Sequence, residues 1–446
     1  MSDESRRIAD PANGRSFLWG VATAAYQIEG GVREGGRGVS IWDTFAHEPG
    51  RVLGGDTGDV ACDHYHRWPE DVALMAGLGI DAYRFSIAWP RIQPTGSGPA
   101  NPEGIAFYDR LVDALLARGI EAAVTLFHWD LPQALQDAGG WFSRETPQRF
   151  AEYADLVAAA LGDRVKLWIT LNEPFIHTVY GHAFGINAPG QALMFDALPT
   201  AHHQLLAHGL GVQALRARTS APVLLTNNYA PVRVLGDGDA DLAAADAYDA
   251  LHNRLFTDPI VGRGYPAALP GLDRLPVRDG DLEIIATPVD GIGVNYYNPS
   301  GIRAPSTPDS GLPFDIVDPL PGYPLTDFGW PVVPDGLREL LTRLWRDYGL
   351  PLYVTENGCS YGEAPDDHRR IAYLESHIAA MEAARADGAD VRGYFVWSLM
   401  DNFEWNEGFS QRFGLVHVDY DTLARTPKAS YHWYADHIAK ARATRA

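Results

Sequence analysis

Cysteine is almost missing from this chain: Cys62 and Cys359 are the only two among 446 residues. Two thiols cannot build the disulfide framework of a small secreted domain, and their scarcity agrees with a reducing compartment. Cys359 reads as a small buried filler rather than a reactive group, the usual position of a free cysteine. Long apolar runs are missing too. Nowhere do the ~18 consecutive apolar residues of a bilayer span occur. The opening MSDESRRIADPANGR contains no apolar signal core. The expectation is a cytoplasmic protein with no membrane partner, residues 1–15 forming a flexible N-terminal segment.

Positive charge is scarce as well. Lys and Arg number 36 against 57 Asp and Glu, a net charge of −21, which argues against nucleic acid or an anionic membrane as partner. A neutral small molecule fits better. Phosphate-binding signatures are absent: the glycine-rich stretch 30–58 has neither GxGxxG nor GxxxxGK[ST] and reads as a long rim loop. What the chain does have is 46% hydrophobic and 21% charged residues, ordinary globular composition and ample for a core.

The organising stretch is 165–174, VKLWITLNEP, an apolar run that ends in Asn172, Glu173 and Pro174. Its residues suit a buried strand, and Pro174 cannot extend a ladder, so the polar pair emerges at the strand's carboxyl end. A second stretch, 351–358, PLYVTENG, has the same design and ends in Glu356, Asn357 and a glycine that permits a sharp turn. Parallel barrels open every strand C-terminus on one face, and that face carries the chemistry. Glu173 and Glu356 are therefore candidates for neighbours in space, and paired carboxylates are what glycoside cleavage needs.

TLNEP at 170–174 and TENG at 355–358, together with YQIEG at 26–30 and DNFEW at 401–405, resemble the signatures of glycoside hydrolase family 1. The resemblance runs in order from about Phe17 to Tyr434. It implies an α/β fold, one catalytic (β/α)8 TIM barrel over 1–446 with long rim loops. It also implies retaining hydrolysis of β-glycosides, with Glu173 as acid/base, Glu356 as nucleophile, and no metal or cofactor.

Strand patterns lie at 17–21, 82–87, 121–127, 222–228, 291–295 and 393–398, besides the two above; helical spacing marks 69–78, 108–118, 150–161 and 367–386. Small neighbours place Arg84 in the barrel lumen, where a buried charge needs an acidic partner; the resemblance sets it beside Glu356. By the same resemblance, Gln27, His128, Trp129, Asn172, Asn295, Tyr297, Trp397, Glu404, Trp405 and Phe413 bind the sugar, with the Tyr297 hydroxyl able to reach Glu356. Phe175 lies on the aglycone side where relatives usually have Trp, and Asn187 stands where His is common. Asp63, His64 and His66 superficially resemble metal ligands, and 201–209, AHHQLLAHG, carries histidines at helical spacing; both read as structural. The proline- and aspartate-rich 303–328 reads as a loop over the mouth.

The implied substrate is an unphosphorylated β-glucoside, with galactosides and fucosides as further candidates, drawn from oligosaccharides or aryl and alkyl glycosides. A 6-phosphoglycoside would meet repulsion from Glu404. A transglycosylase and a non-catalytic sugar-binding protein are the alternative readings, and homo-oligomerisation is left open.

Overall fold

The computed structural model describes residues 17–307 and 311–443; the expected N-terminal segment lies outside them. Eight parallel strands close a barrel: β1 (Leu18–Ala22), β2 (Ala82–Ser86), β3 (Glu121–Phe127), β4 (Val165–Asn172), β5 (Val223–Asn228), β6 (Gly291–Asn295), β7 (Leu352–Asn357) and β8 (Val391–Trp397). Each pairs with its neighbours in sequence, and β1 closes the circle on β8. The strands are buried on both faces, which is why they read as near-continuous apolar runs rather than as alternation.

Helices wrap the outside: α1 (His64–Leu78), α2 (Pro102–Leu116), α3 (Thr146–Leu161), α4 (Leu198–Arg216), α5 (Asp239–Asp249), α6 (Pro334–Tyr348), α7 (His368–Ala386) and α8 (Ala429–Ala443). Local chemistry sets their ends. The Asn101 side chain accepts from the Glu103 amide ahead of α2, with Pro102 at the first helical position. Gly349, at φ +64°, closes α6, whose Leu337, Leu340, Leu341 and Leu344 form one buried stripe. Burying each such leucine stabilises by roughly 1.5–3 kcal/mol.

Four expectations need correction. Helix α1 starts at His64, not Pro69; a buried His64–Asp71 hydrogen bond of 2.7 Å and the Tyr65 amide on the Glu29 carbonyl hold a first turn ahead of the proline. Segment 30–58 is not plain loop, because Ser40 and Asp43 form a reciprocal cap that starts a six-residue helix, Ile41–Ala46. Segment 303–328 contains a strand, Asp315–Val317, paired antiparallel with Ser300–Arg303, which in turn pairs with Val232–Val234. Strands this short show no readable period. Gly358 is needed for space rather than for its φ: a Cβ there would stand 1.8 Å from the Trp397 carbonyl oxygen.

Candidate active site

The carboxyl ends of the barrel strands and the segments that follow them enclose a cavity of about 380 Å³. Glu173 leaves β4 in the left-handed region, at φ +46°, with its amide on the Thr226 carbonyl of β5. A non-glycine residue in that conformation costs on the order of 1–3 kcal/mol and persists only where the surroundings impose it. Here Pro174 starts a new helical turn immediately afterwards.

Glu356, the penultimate residue of β7, is buried with two donors on its carboxylate. Arg84 Nη1 lies 2.6 Å from Oε1 and the Tyr297 hydroxyl 2.8 Å from Oε2. The second Arg84 branch donates to Asn172 Oδ1 at 2.5 Å. The Thr355 hydroxyl donates to Asn295 Oδ1 at 2.7 Å, which turns the Asn295 amide toward Glu173 Oε1, 2.6 Å away, and Asn172 Oδ1, 3.1 Å away. Four strands, β2, β4, β6 and β7, thus converge on one hydrogen-bonded set containing both glutamates.

Burial first, and the Glu356 charge second, push the Glu173 carboxyl up to about 8; Asn295, Arg84 and Asn228 oppose the shift. The repulsion from Glu356 is secondary, since dehydration of a fully enclosed carboxylate costs more than a neighbour already paired with arginine. Glu404 is also pushed up to about 8, by burial and then by Glu356. That upward shift weakens the repulsion of a sugar phosphate expected of Glu404. What disfavours phosphate is that no described residue lining the cavity is Lys or Arg.

Burial and the Arg84 charge hold His128 well below its ordinary value, so its ring is neutral. Its Nε2 faces the Asn172 amide nitrogen at 3.0 Å, which leaves the ring proton on Nδ1, a buried atom without a protein partner. The His128 ring stacks on Trp397 at 5.9 Å and on Trp405 at 5.8 Å. Trp129, at φ +75°, donates its indole N–H to the Asn172 carbonyl and packs on Trp405. Phe413 packs against Tyr297 and Trp330.

Two of the anticipated residues sit differently from the expectation. The Gln27 amide nitrogen already donates to Asn402 Oδ1 and the Phe403 carbonyl, so only Oε1 lacks a protein partner; a grip through both ends of this amide is closed off. Phe175 does not line the cavity but stacks at 3.9 Å on His252, which does. His252 and Asn228, joined by a 2.9 Å hydrogen bond, went unread in the sequence. Asn228 ends a strand just as Asn172 and Asn295 do, and that repeat was the available signal; His252 lies in a short π-helical turn after α5 and gave none.

Four histidines of the stretches that resemble metal ligands have separate partners. His64 bonds Asp71, His66 bonds Asp63 and Glu34, His202 bonds Tyr265 and Asp281, and His208 bonds Thr170. Cys62 and Cys359 are free and buried, and burial pushes the Cys359 thiol up to about 12.

A closed parallel barrel whose strand ends bring into one cavity a carboxyl pushed up by burial and a second held against an arginine has the arrangement of a glycoside hydrolase. Residues 13–443 match the family described as Glycosyl hydrolase family 1. The chain is 49% identical to the thermostable β-glucosidase B of Thermobispora bispora, covering 95% of this chain and 90% of that one. It is 45% identical to a bifunctional β-D-glucosidase/β-D-fucosidase of Bifidobacterium breve, over 96% and 99% of the two chains. The solved family 1 β-glucosidase of Thermotoga maritima superimposes with a TM-score of 0.91 at 41% identity, over 95% of this chain and 97% of that one. The chain belongs to glycosyl hydrolase family 1.

Proposed function

We propose that this protein is a retaining β-glucosidase that removes terminal, unphosphorylated β-D-glucosyl residues by double displacement. The observation that carries the reading is the split between two carboxyls in one cavity: burial and the Glu356 charge push Glu173 up to about 8, while Glu356 lies 2.6 Å from Arg84. Glu356 attacks the anomeric carbon as Glu173 protonates the departing oxygen, and a glycosyl ester forms. Esterification removes the Glu356 charge, so the Glu173 carboxylate left by that proton transfer stays ionised and takes a proton from the water that attacks the same carbon and releases Glu356. The Tyr297 hydrogen bond orients the nucleophile.

In this reading the His128 Nδ1–H, Gln27 Oε1, the Asn172 amide and Glu404 hold sugar hydroxyls, and Trp397, Trp405 and Phe413 wall the ring. Glu404 in its protonated form donates as well as accepts. The Bifidobacterium relative supports fucosides as additional substrates. We place the whole chain as one catalytic unit in the cytoplasm, acting on glucosides such as those from cellulose breakdown and on no nucleic acid; two free buried thiols suit that compartment. Among the described residues no helix is long and apolar enough to cross a membrane.

The test is proton NMR of p-nitrophenyl β-D-glucoside hydrolysis. The β-anomer of glucose should appear first, and Glu356→Ala should release none. First appearance of the α-anomer, or full activity in the variant, would sink the mechanism.

A further inference from the structure

Outside the reacting carboxyls the cavity is bordered by two apolar edges from different parts of the chain. Ile176, Tyr180 and Ile186 come from the segment after β4, and Ile316 and Val317 from the hairpin after β6. Tyr180, Ile186 and Ile316 remain exposed despite their size. Apolar side chains left in water around a cavity mark a surface that an apolar ligand covers. The hairpin is anchored rather than loose: Ile316 pairs with Ile302 and Val317 with Gly301, while Tyr248 bonds Ser300 at 2.8 Å and meets Phe314 edge-on.

Asp318 follows directly. It is exposed on the cavity lining, and after burial its charge is the next cause raising the Tyr180 hydroxyl. Besides Glu173, Glu356 and Glu404, Glu407 is a further carboxylate on the lining, where no described residue is Lys or Arg. We propose that Asp318, on the outer, leaving-group part of the cavity, is the residue that discriminates against anionic aglycones. The inference rests on the β-glucosidase reading. A ring-bearing aglycone covers the two apolar edges, whereas a second sugar would leave them facing hydroxyls. A carboxylate on that ring meets Asp318 and Glu407 with no cation to answer it.

Two unit charges about 6 Å apart in a water-like medium shift an equilibrium roughly threefold, so aglycones of opposite sign should separate by about tenfold. The experiment uses 2-phenylethyl β-D-glucosides carrying hydrogen, trimethylammonium or carboxylate at the para position. The two-carbon spacer insulates the leaving oxygen from the substituent, and glucose release is followed at pH 7 and low salt. The expected kcat/KM ratio of cation to anion is about tenfold, expressed mainly in KM. It should shrink in about 0.5 M NaCl, fall at least about twofold in Asp318→Asn, and reverse in Asp318→Lys. Equal values for the two charged substrates, or a ratio unaltered in both variants, would overturn the assignment. The uncharged phenylethyl glucoside should also exceed cellobiose in kcat/KM, and the opposite order would refute the apolar site. Failure to turn over any glucoside, p-nitrophenyl β-D-glucoside included, would instead remove the β-glucosidase reading beneath it.

Discussion

Arg84 Nη1 lies 2.6 Å from Glu356 Oε1 inside the barrel, and both side chains are almost fully buried. A lone buried carboxylate would be too costly to keep ionised, so the arginine is what lets β7 end in a charged nucleophile. Arg84→Met should therefore lose stability, by about 3–5 kcal/mol in urea unfolding, because it strands a buried charge. Activity should fall by at least about a hundredfold in kcat, since Asn172 Oδ1 also loses one of its two donors. An Arg84→Met protein of normal stability and rate would show that the pair is dispensable.

Tyr297 tests the other face of the same carboxylate. Its hydroxyl donates to Glu356 Oε2 at 2.8 Å. A hydrogen bond to a charged group contributes roughly 1.5–3 kcal/mol, so Tyr297→Phe should lower kcat/KM by about ten- to a hundredfold with folding intact. A change under about twofold would mean the hydroxyl does not matter to the reacting state.

The pH dependence follows from Glu173, whose carboxyl is pushed up to about 8 by burial and then by Glu356. The free enzyme needs this proton, so kcat/KM should be sustained below pH 8 and fall as pH rises through it. The Asn295 amide favours the ionised form from 2.6 Å. Asn295→Ala should move the alkaline limb upward, whatever it does to the absolute rate. A limb that moved downward would reverse the role given to this amide.

Stability should change with pH through the same group. Between the ordinary carboxylate value of 4.5 and about 8, the folded chain holds a proton that the unfolded chain has released. Stability attributable to Glu173 therefore falls as pH rises across that window. Glu173→Gln removes the penalty, so its melting temperature relative to the unaltered protein should climb between pH 5 and pH 8. A difference that stays flat with pH would contradict the buried, protonated carboxyl.

Gly358 offers a test of packing. A Cβ added there meets the Trp397 carbonyl oxygen at 1.8 Å, backbone that cannot rotate away. Gly358→Ala should cost about 3 kcal/mol or more and displace the β8 end that carries Trp397. Normal melting and normal activity would show that the two strand ends have room to part.

Much of this was legible in the sequence because strand ends that carry function break local rules. Asn172, Glu173 and Pro174 stop a β-rich run with groups no strand interior accepts, and Glu356 with Asn357 does the same. Arg84 among small residues announced a buried charge. Two short elements were illegible for the opposite reason: Asp315–Val317 is too brief for a period, and its partner Ser300–Arg303 is identified only by pairing. Pro69 was misread as a helix start because the contacts holding the preceding turn, from Asp71 and Glu29, come from outside that turn.

The amino-acid sequence by itself determined the barrel, the two glutamates and their likeness to a known family, since strand period, prolines and residue identity are local properties. Tertiary structure alone decided which atoms remain available. Gln27 gives its amide nitrogen to Asn402 and Phe403, His128 keeps its proton on Nδ1, and Glu404 is pushed up to about 8 by burial and then by Glu356. Hydrogen-bond partners and dehydration depend on what distant segments bring within about 3 Å, and no local pattern encodes that distance.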